Sequence, residues 1–171
     1  TTTSINLATS LSAINKKILL IDADPQGNAS TGMGVTYESR SPNLYDLIVS
    51  EAHNKNAIKK TLVPSLDIIS ANTNLAASEI ELVGVQNREY VLKNILSKIH
   101  GYDYIIIDCP PALGLLTINS LVASDSVIVP LQSEFFALEG ISSLVNSIEL
   151  IKKNFNPKLI LEGILITMVD K

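Results

Sequence analysis

The sequence is short of three things: cysteine, basic residues relative to acidic ones, and long hydrophobic runs. The single cysteine among 171 residues, Cys109, excludes an internal disulfide and a multi-cysteine metal site. A reducing, cytoplasmic setting is therefore the default expectation. No apolar run approaches the roughly 18 residues that span a bilayer, so no membrane partner is expected. Thirteen basic residues against 17 acidic ones give a net charge of −4, which argues against strong nucleic-acid binding by this stretch alone.

The two ends of the sequence also lack features. No starting Met precedes Thr1, and residues 1–4 carry no basic region of the kind that opens a secretory signal. The last residue, Lys171, falls inside what reads as an unfinished unit. With 46% hydrophobic residues, the chain has enough apolar side chains for one globular core. We therefore expect residues 1–171 to be a single domain, truncated at both ends.

Apolar runs alternate with helical patterns along the chain. The runs predict five strands, at Ile18–Ile21, Leu66–Ser70, Tyr104–Cys109, Ser126–Leu131 and Leu161–Val169. Most are continuous rather than alternating, which is typical of strands covered on both faces of a parallel sheet. Three- and four-residue spacings of apolar residues predict helices around 7–14, 91–99 and 138–151, and short helices and loops are expected in 36–64. This order predicts an α/β fold with a doubly wound, mostly parallel sheet flanked by helices.

Acidic residues follow the predicted strands where those strands end. Asp22 and Asp24 follow the first apolar run and Asp108 follows the third, while Glu134 and Asp170 come shortly after the last two. In such a sheet, ligands bind at the carboxyl ends of the strands. Like charges gathered there repel unless a cation or a set of donors lies between them. One such acid is commonly a cap or turn residue, but the repetition favours magnesium, which prefers oxygen ligands and usually arrives with a nucleotide phosphate.

Hydroxyl residues open the first predicted helix, in the stretch TTTSINLA. Two interpretations stay open. In the first, the side chains of residues 1–4 cap the free N–H groups of the helix. In the second, the helix N-terminus binds phosphate, and Thr1 is the hydroxyl residue that follows the Gly-Lys pair of a phosphate-binding loop. The sequence starts too late to show such a pair.

Three stretches together resemble the ParA-type ATPases, the deviant Walker A family of P-loop NTPases that also includes MinD and the nitrogenase iron protein. They are DADPQGN at 22–28, IIIDCPP at 105–111 and SEFFALEG at 133–140, in the order found in that family. The resemblance covers nearly the whole chain, and the most similar subgroup is the chromosomal and plasmid partition ATPases called ParA or Soj. It implies a P-loop NTPase-like fold, with ATP and Mg²⁺ as cofactors.

The resemblance implies a magnesium site built from three residues. Thr1 matches the hydroxyl residue of the Walker A loop, which is a magnesium ligand in the family. Asp108 matches the Walker B acid, which reaches the metal through water. Asp22 matches an acid near the magnesium waters. The alternative for Asp108 is a turn acid that caps the proline segment following it.

The resemblance also implies catalytic and nucleotide-binding roles. Asp24 matches the acid that orients the attacking water. Thr2 matches a residue near the α-phosphate, and Pro110 lies with Pro111 in the turn called switch II. The Gly-rich loop and its lysines precede the position of Thr1 in this family, so we expect residues 1–171 by themselves to be inactive.

For the full-length parent, the resemblance implies an ATPase switch that depends on Mg-ATP. Two subunits form a homodimer with ATP sandwiched between them and segregate chromosome or plasmid DNA together with a ParB-like centromere-binding protein. Such a protein is cytoplasmic and nucleoid-associated. Non-specific DNA would bind mainly through surfaces outside this stretch, because the lysines here form no long basic stripe.

Three other functions would each require a different feature of the sequence. A MinD-like, membrane-associated positioning ATPase would carry an amphipathic C-terminal helix, which this sequence does not include. An iron protein needs two cysteines per subunit for its shared cluster and is excluded by the cysteine count. A non-catalytic nucleotide-binding scaffold would have no need of both Asp24 and Asp108.

Overall fold

The computed structural model describes residues 1–50, 54–132 and 135–169, without the side chains of 135–139. Glu134 and Asp170 lie outside the described residues. The chain divides into two compact units, Thr1–Ser120 and Leu121–Lys171, which are described separately. The expectation of a single domain stays a prediction.

The first unit alternates helices and strands. Its helices are α1 (Thr2–Ala13), α2 (Asn28–Gly32), α3 (Leu44–Ser50), α4 (Leu75–Glu81), α5 (Val91–Leu96) and the greater part of α6 (Leu115–Ala123). Its strands are β1 (Ile18–Asp22), β2 (Ile58–Lys60), β3 (Leu66–Ile69) and β4 (Tyr104–Asp108). The predicted α/β fold, with a mostly parallel sheet flanked by helices, is confirmed.

The four strands of this unit lie in the order β2-β3-β1-β4. The central strand β1 runs parallel to both neighbours and is buried along its whole length. Burial on both faces explains why its sequence is a continuous apolar run. The register pairs Ile18 with Tyr104 and Asp22 with Asp108, so β1 and β4 end level with each other.

One face of the sheet packs against the first two helices. Ala8 of α1 and Ala29 of α2 join Ile18 and Leu20 of β1 in a buried cluster. The small alanine side chains let both helices approach the strand closely. Helix α1 ends where Asn15 takes a left-handed conformation, with φ 64°, which asparagine tolerates better than most residues do.

The short edge strand β2 was not predicted. It contains only Ile58–Lys60 and pairs antiparallel with β3. Its residues are half-buried or exposed, so it has neither an apolar run nor a hydrophobic face to mark it. Charged residues on an edge strand also hinder pairing with another chain.

The second unit contains β5 (Ser126–Gln132), α7 (Phe135–Asn154) and β6 (Ile160–Thr167). Strands β5 and β6 pair in parallel, and the predicted helix at 138–151 lies within α7. The Asn156 side chain donates to the carbonyls of Leu121 and Ser124, at 3.0 and 2.7 Å. Within the part of the chain that the structure describes, no helix combines the length and apolarity needed to cross a membrane.

A buried carboxylate joins two strands to the turn before β4. Asp67 of β3 accepts from Lys60 Nζ and from Tyr102 Oη, each at 2.8 Å from Oδ2. Lys60 stands directly opposite Asp67 in the β2–β3 register, which is the arrangement in which cross-strand charge pairs interact. Burial and the Asp67 carboxylate together raise the pKa of Tyr102 above its ordinary value.

We expect Tyr102→Phe to lower the free energy of unfolding at pH 7 by about 1–3 kcal/mol, because it removes a hydrogen bond to a charged acceptor. Because the pKa of Tyr102 is raised in the folded state, this difference in the free energy of unfolding depends on pH. Wild-type stability from Tyr102 is fully present below pH 10 and is lost as the pH rises toward the folded-state pKa, since only the unfolded chain ionises readily. Urea unfolding between pH 7 and 11.5 should therefore show the two curves converging above pH 10.

Tyr104→Phe, which alters a half-exposed ring two residues away, serves as the control. A gap between wild type and Tyr102→Phe that stays constant through pH 11 would contradict the role given to this hydroxyl.

Candidate functional site

Asp108 lies at the carboxyl end of β4, where the start of α1 meets it. Thr1 Oγ1 donates to Asp108 Oδ2 at 2.7 Å, and Ser4 Oγ donates to Oδ1 at 2.8 Å. Asp108 is only 3% exposed, and these two hydroxyls satisfy both of its carboxylate oxygens. More than 100 residues separate the partners in sequence, so only the fold brings them together.

The contact with Asp108 shows how the hydroxyl of Thr1 is used at the start of α1. Thr1 occupies the N-cap position, yet its side chain makes no capping hydrogen bond. Its hydroxyl is directed at the carboxylate instead. Thr2 is the first residue of the helix and is exposed, and its carbonyl accepts from Asn6 Nδ2. The first turn of α1 therefore presents oxygen ligands to the end of the sheet.

Asp22 ends β1 and is completely buried. Its Oδ2 accepts from both the N–H and the hydroxyl of Ser30, each at 2.7 Å, and its Oδ1 accepts from Asp24 N at 3.3 Å. Burial raises the pKa of Asp22, the hydrogen bonds from Ser30 and Asp24 oppose that rise, and the nearby Asp108 carboxylate adds to it. Asp22 has no exposed surface in this conformation, so contact with a metal would require its neighbours to move.

Asp24 opens a tight turn between β1 and α2. Its Oδ1 accepts from Gln26 N at 2.9 Å, and its carbonyl accepts from Gly27 N at 2.9 Å. Gly27 has φ +65°, and a Cβ there would collide with the Arg40 guanidinium and lie 2.9 Å from the Ala71 carbonyl oxygen. The turn therefore requires glycine at this position, and the Gln26 N–H fixes the direction of the Asp24 carboxylate.

The loop from Cys109 to Gly114 connects Asp108 to α6. Pro110 is half-buried in it and Pro111 is exposed. Burial raises the pKa of Cys109 to about 11, so its thiol stays protonated at neutral pH and packs as a small apolar group, as its position after a strand suggests.

A carboxylate from α4 holds the far end of this loop. Glu79 Oε1 accepts from Leu116 N at 3.1 Å, at the start of α6. A Cβ at Gly114 would collide with the same carboxylate. An acid at a helix N-terminus is also favoured by the helix dipole, so Glu79 fixes where α6 begins.

The structure brings together most of the residues that were predicted from sequence. Asp22 and Asp108 lie on paired strand ends, Asp24 follows within two residues, and Thr1 contacts Asp108 directly. Among the described residues, no group of three or more Asp, Glu, His or Cys side chains is arranged to hold a metal ion. A metal here would depend on Thr1, Asp108, water and ligand oxygens rather than on a closed cage of protein side chains.

Sequence reasoning missed two residues that shape the site. Ser30 orients Asp22, and its hydroxyl also accepts from Ala71 N at 3.0 Å. Glu79 anchors the loop that follows Asp108. Nothing in the local pattern marks either residue, because a serine or glutamate on a short helix is ordinarily a surface residue.

The chain is similar in sequence to several known proteins. A family model described as an AAA domain matches residues 1–161. The chain is 51% identical over 171 residues to the sporulation initiation inhibitor protein Soj of Bacillus subtilis (strain 168), covering 99% of this chain and 68% of Soj. It is 47% identical over 174 residues to the chromosome partitioning protein ParA of Caulobacter vibrioides (strain NA1000 / CB15N), covering 100% of this chain and 65% of that protein. The chain thus spans about two thirds of the length of these relatives.

A solved structure shows the same fold. The crystal structure of cobyrinic acid a,c-diamide synthase from Mycobacterium smegmatis, with bound ADP and magnesium, superposes with a TM-score of 0.94. Its sequence is 34% identical, and the match covers 99% of this chain and 70% of that one.

We expect the stability difference between Asp22→Asn and wild type to change with pH, because burial raises the pKa of Asp22 in the folded state. The stability that a raised pKa contributes is fully present below the unfolded value near 4 and is lost as the pH rises through the folded value. The free energy of unfolding of Asp22→Asn, relative to that of wild type, should therefore rise by up to about 1.4 kcal/mol per pH unit across that window. Urea unfolding at pH 4, 5, 6 and 7 measures this difference.

The matched control is Asp103→Asn, which removes one negative charge from an exposed carboxylate that accepts from Lys17 N. If the free energies of Asp22→Asn and wild type run parallel from pH 4 to 7, burial does not govern this carboxyl.

Proposed function

This chain belongs to the ParA/Soj family of P-loop ATPases, and we propose that the intact protein is a magnesium-dependent ATPase that acts as a switch in DNA partition. The observation that carries the proposal is the contact between Thr1 and Asp108. A hydroxyl at a helix start beside a buried strand-end carboxylate is the pair of groups that holds magnesium in P-loop NTPases.

The residues at this contact suit magnesium. Thr1 and Asp108 supply oxygen ligands of the hard kind that Mg²⁺ prefers, and Mg²⁺ usually keeps several of its waters. Thr1 would bind the ion directly and Asp108 would hold one of its waters. Asp22 would lie near the magnesium waters once its neighbours move. When bound, magnesium neutralises charge on the nucleotide phosphates.

Asp24 is the proposed catalytic residue. Asp24 is 8% exposed and its Oδ1 accepts from the Gln26 N–H, so Oδ2 is the oxygen proposed to accept from a water. Phosphoryl transfer asks the protein mainly for positioning and charge stabilisation. Asp24 would orient the attacking water, Thr2 would bind near the α-phosphate, and Pro110 would lie in the loop that responds to the nucleotide.

The wider biological role rests on the similarity to Soj and ParA. We propose that the intact protein is a cytoplasmic, nucleoid-associated homodimer with ATP sandwiched between its subunits. It would bind DNA without sequence preference, mainly through surfaces outside these residues, and act with a ParB-like partner. The solved structure of the synthase carries a different name at 34% identity. The 51% identity to Soj favours partition over that activity.

We expect Asp24→Ala, in the intact protein, to reduce ATP turnover by roughly 10²- to 10⁴-fold, the usual contribution of a positioned group that handles the reacting water or its proton. ATP binding should persist, because Asp24 is not among the residues proposed to hold magnesium or phosphate. Steady-state phosphate release and equilibrium nucleotide binding measure the two effects. Asp103→Ala, at the opposite end of the sheet, is the control, and near-normal turnover in Asp24→Ala would remove Asp24 from the mechanism.

A second prediction concerns the metal. Asp108→Ala and Thr1→Ala should each weaken binding of Mg-ATP more than binding of ATP in EDTA, because both residues are proposed to act through magnesium. Thr1→Ser, which retains the hydroxyl, should restore most of the difference. Equal losses with and without magnesium, or lost stability with intact nucleotide affinity, would support the alternative that Asp108 is a turn acid.

A further inference from the structure

Arg40 is a buried cation outside the residues discussed for catalysis. It is 6% exposed, and burying a charge is unfavourable unless hydrogen bonds compensate for the lost hydration. Its guanidinium donates to Thr31 Oγ1 at 2.7 Å, to the Ala71 carbonyl at 3.1 Å, and to the Val35 carbonyl at 3.4 Å from both Nε and Nη2. Each of these acceptors is neutral, so within the described residues Arg40 serves as a multiple donor and not as half of an ion pair.

Hydrogen bonds connect the acceptors of Arg40 to the turn that contains Asp24. Thr31 Oγ1 accepts from Arg40 and donates to the Gly27 carbonyl at 3.1 Å. Gly27 N donates back to the Asp24 carbonyl at 2.9 Å. Gly27 is thus held through both its N–H and its carbonyl, and the N–H of the preceding residue, Gln26, donates to the Asp24 carboxylate.

Arg40 also supports the turn by direct packing. The backbone at Gly27 lies so close to the guanidinium that a Cβ would collide with it. The Ala71 carbonyl that Arg40 binds follows β3, and Ala71 N donates to Ser30 Oγ, the same hydroxyl that donates to Asp22. A planar, always-charged group with several donors in fixed directions suits this task, whereas a lysine offers a single point of attachment.

We infer that Arg40 is a positioning residue for the proposed ATPase reaction: it acts through Thr31 and Gly27 to hold the Asp24 carboxylate toward the reacting water. This inference rests on the proposed function. A misplacement of about 1 Å from a change away from the chemistry is enough to cost about 10²-fold in rate. Arg40 touches no reacting atom, so its effect appears in turnover and disappears when Asp24 is absent.

The test is a double-mutant cycle in the intact protein. Arg40→Met should lower kcat by about 10- to 100-fold while the Kd for ATP changes less than about threefold. In an Asp24→Ala background the same substitution should change kcat less than about twofold. Arg40→Lys should recover only part of the activity, since lysine keeps the positive charge but lacks the several fixed N–H donors of the guanidinium. Arg88→Met is the matched control, because Arg88 is a partly exposed arginine that donates to the Val83 carbonyl and the Glu89 carboxylate.

A second substitution guards against simple unfolding of Arg40→Met. Thr31→Val leaves Arg40 in place and removes the hydroxyl between it and Gly27, whereas Thr31→Ser keeps that hydroxyl. We expect Thr31→Val to lower kcat in the same direction as Arg40→Met, and Thr31→Ser to resemble wild type. The inference would be overturned if Arg40→Met lowered kcat by the same factor in the wild-type and Asp24→Ala backgrounds. Full activity in Thr31→Val would overturn it as well.

Amide hydrogen exchange separates this inference from the proposed function. Arg40→Met and Thr31→Val should each speed exchange at the Gln26 and Gly27 amides by about tenfold or more, with amides of β1 unchanged. Unchanged exchange at Gln26 and Gly27 refutes the positioning role whatever the ATPase result. If exchange changes as expected but wild type shows no ATP turnover, the proposed function fails while the support of this turn by Arg40 stands.

Discussion

The parallel pairing of β1 with β4 is the constraint on which the site depends, because it places two buried carboxylates, Asp22 and Asp108, at neighbouring strand ends. Two unit charges about 5 Å apart repel by roughly 3 kcal/mol at an effective dielectric constant near 20. Hydrogen bonds to charged groups contribute about 1.5–3 kcal/mol each. The two carboxylates accept such bonds from Thr1, Ser4, Ser30 and Asp24, so the donors outweigh the repulsion.

The two acids have different surroundings and therefore different uses. Asp22 is enclosed by Ser30 and by the turn at Asp24, and its raised pKa records the burial. Asp108 faces hydroxyls from the start of α1, which are groups that can exchange a carboxylate partner for a metal ion. Asp22 is therefore closed off by its neighbours, whereas Asp108 faces the hydroxyls at the start of α1.

Both loops beside Asp108 are fixed by charged side chains from distant parts of the first unit. Glu79 holds the start of α6, and Arg40 holds the turn after β1. A charged anchor fixes position through direction-specific hydrogen bonds, which apolar packing does not provide.

The pattern of residues was enough to predict the α/β fold, the strands β1, β3 and β4, and the acids that follow β1 and β4 where those strands end. Continuous apolar runs mark strands buried on both faces, and an acid directly after such a run needs an explanation. Three contacts follow only from the folded arrangement: Thr1 donates to Asp108 and does not cap α1, Ser30 closes off Asp22, and Arg40 packs against Gly27. Those contacts join residues that are eight to more than 100 positions apart, and β2 is too short and polar to show a pattern. Local periodicity reports which face of an element is buried, whereas the partner of a polar side chain is set by where the strands and helices meet in space.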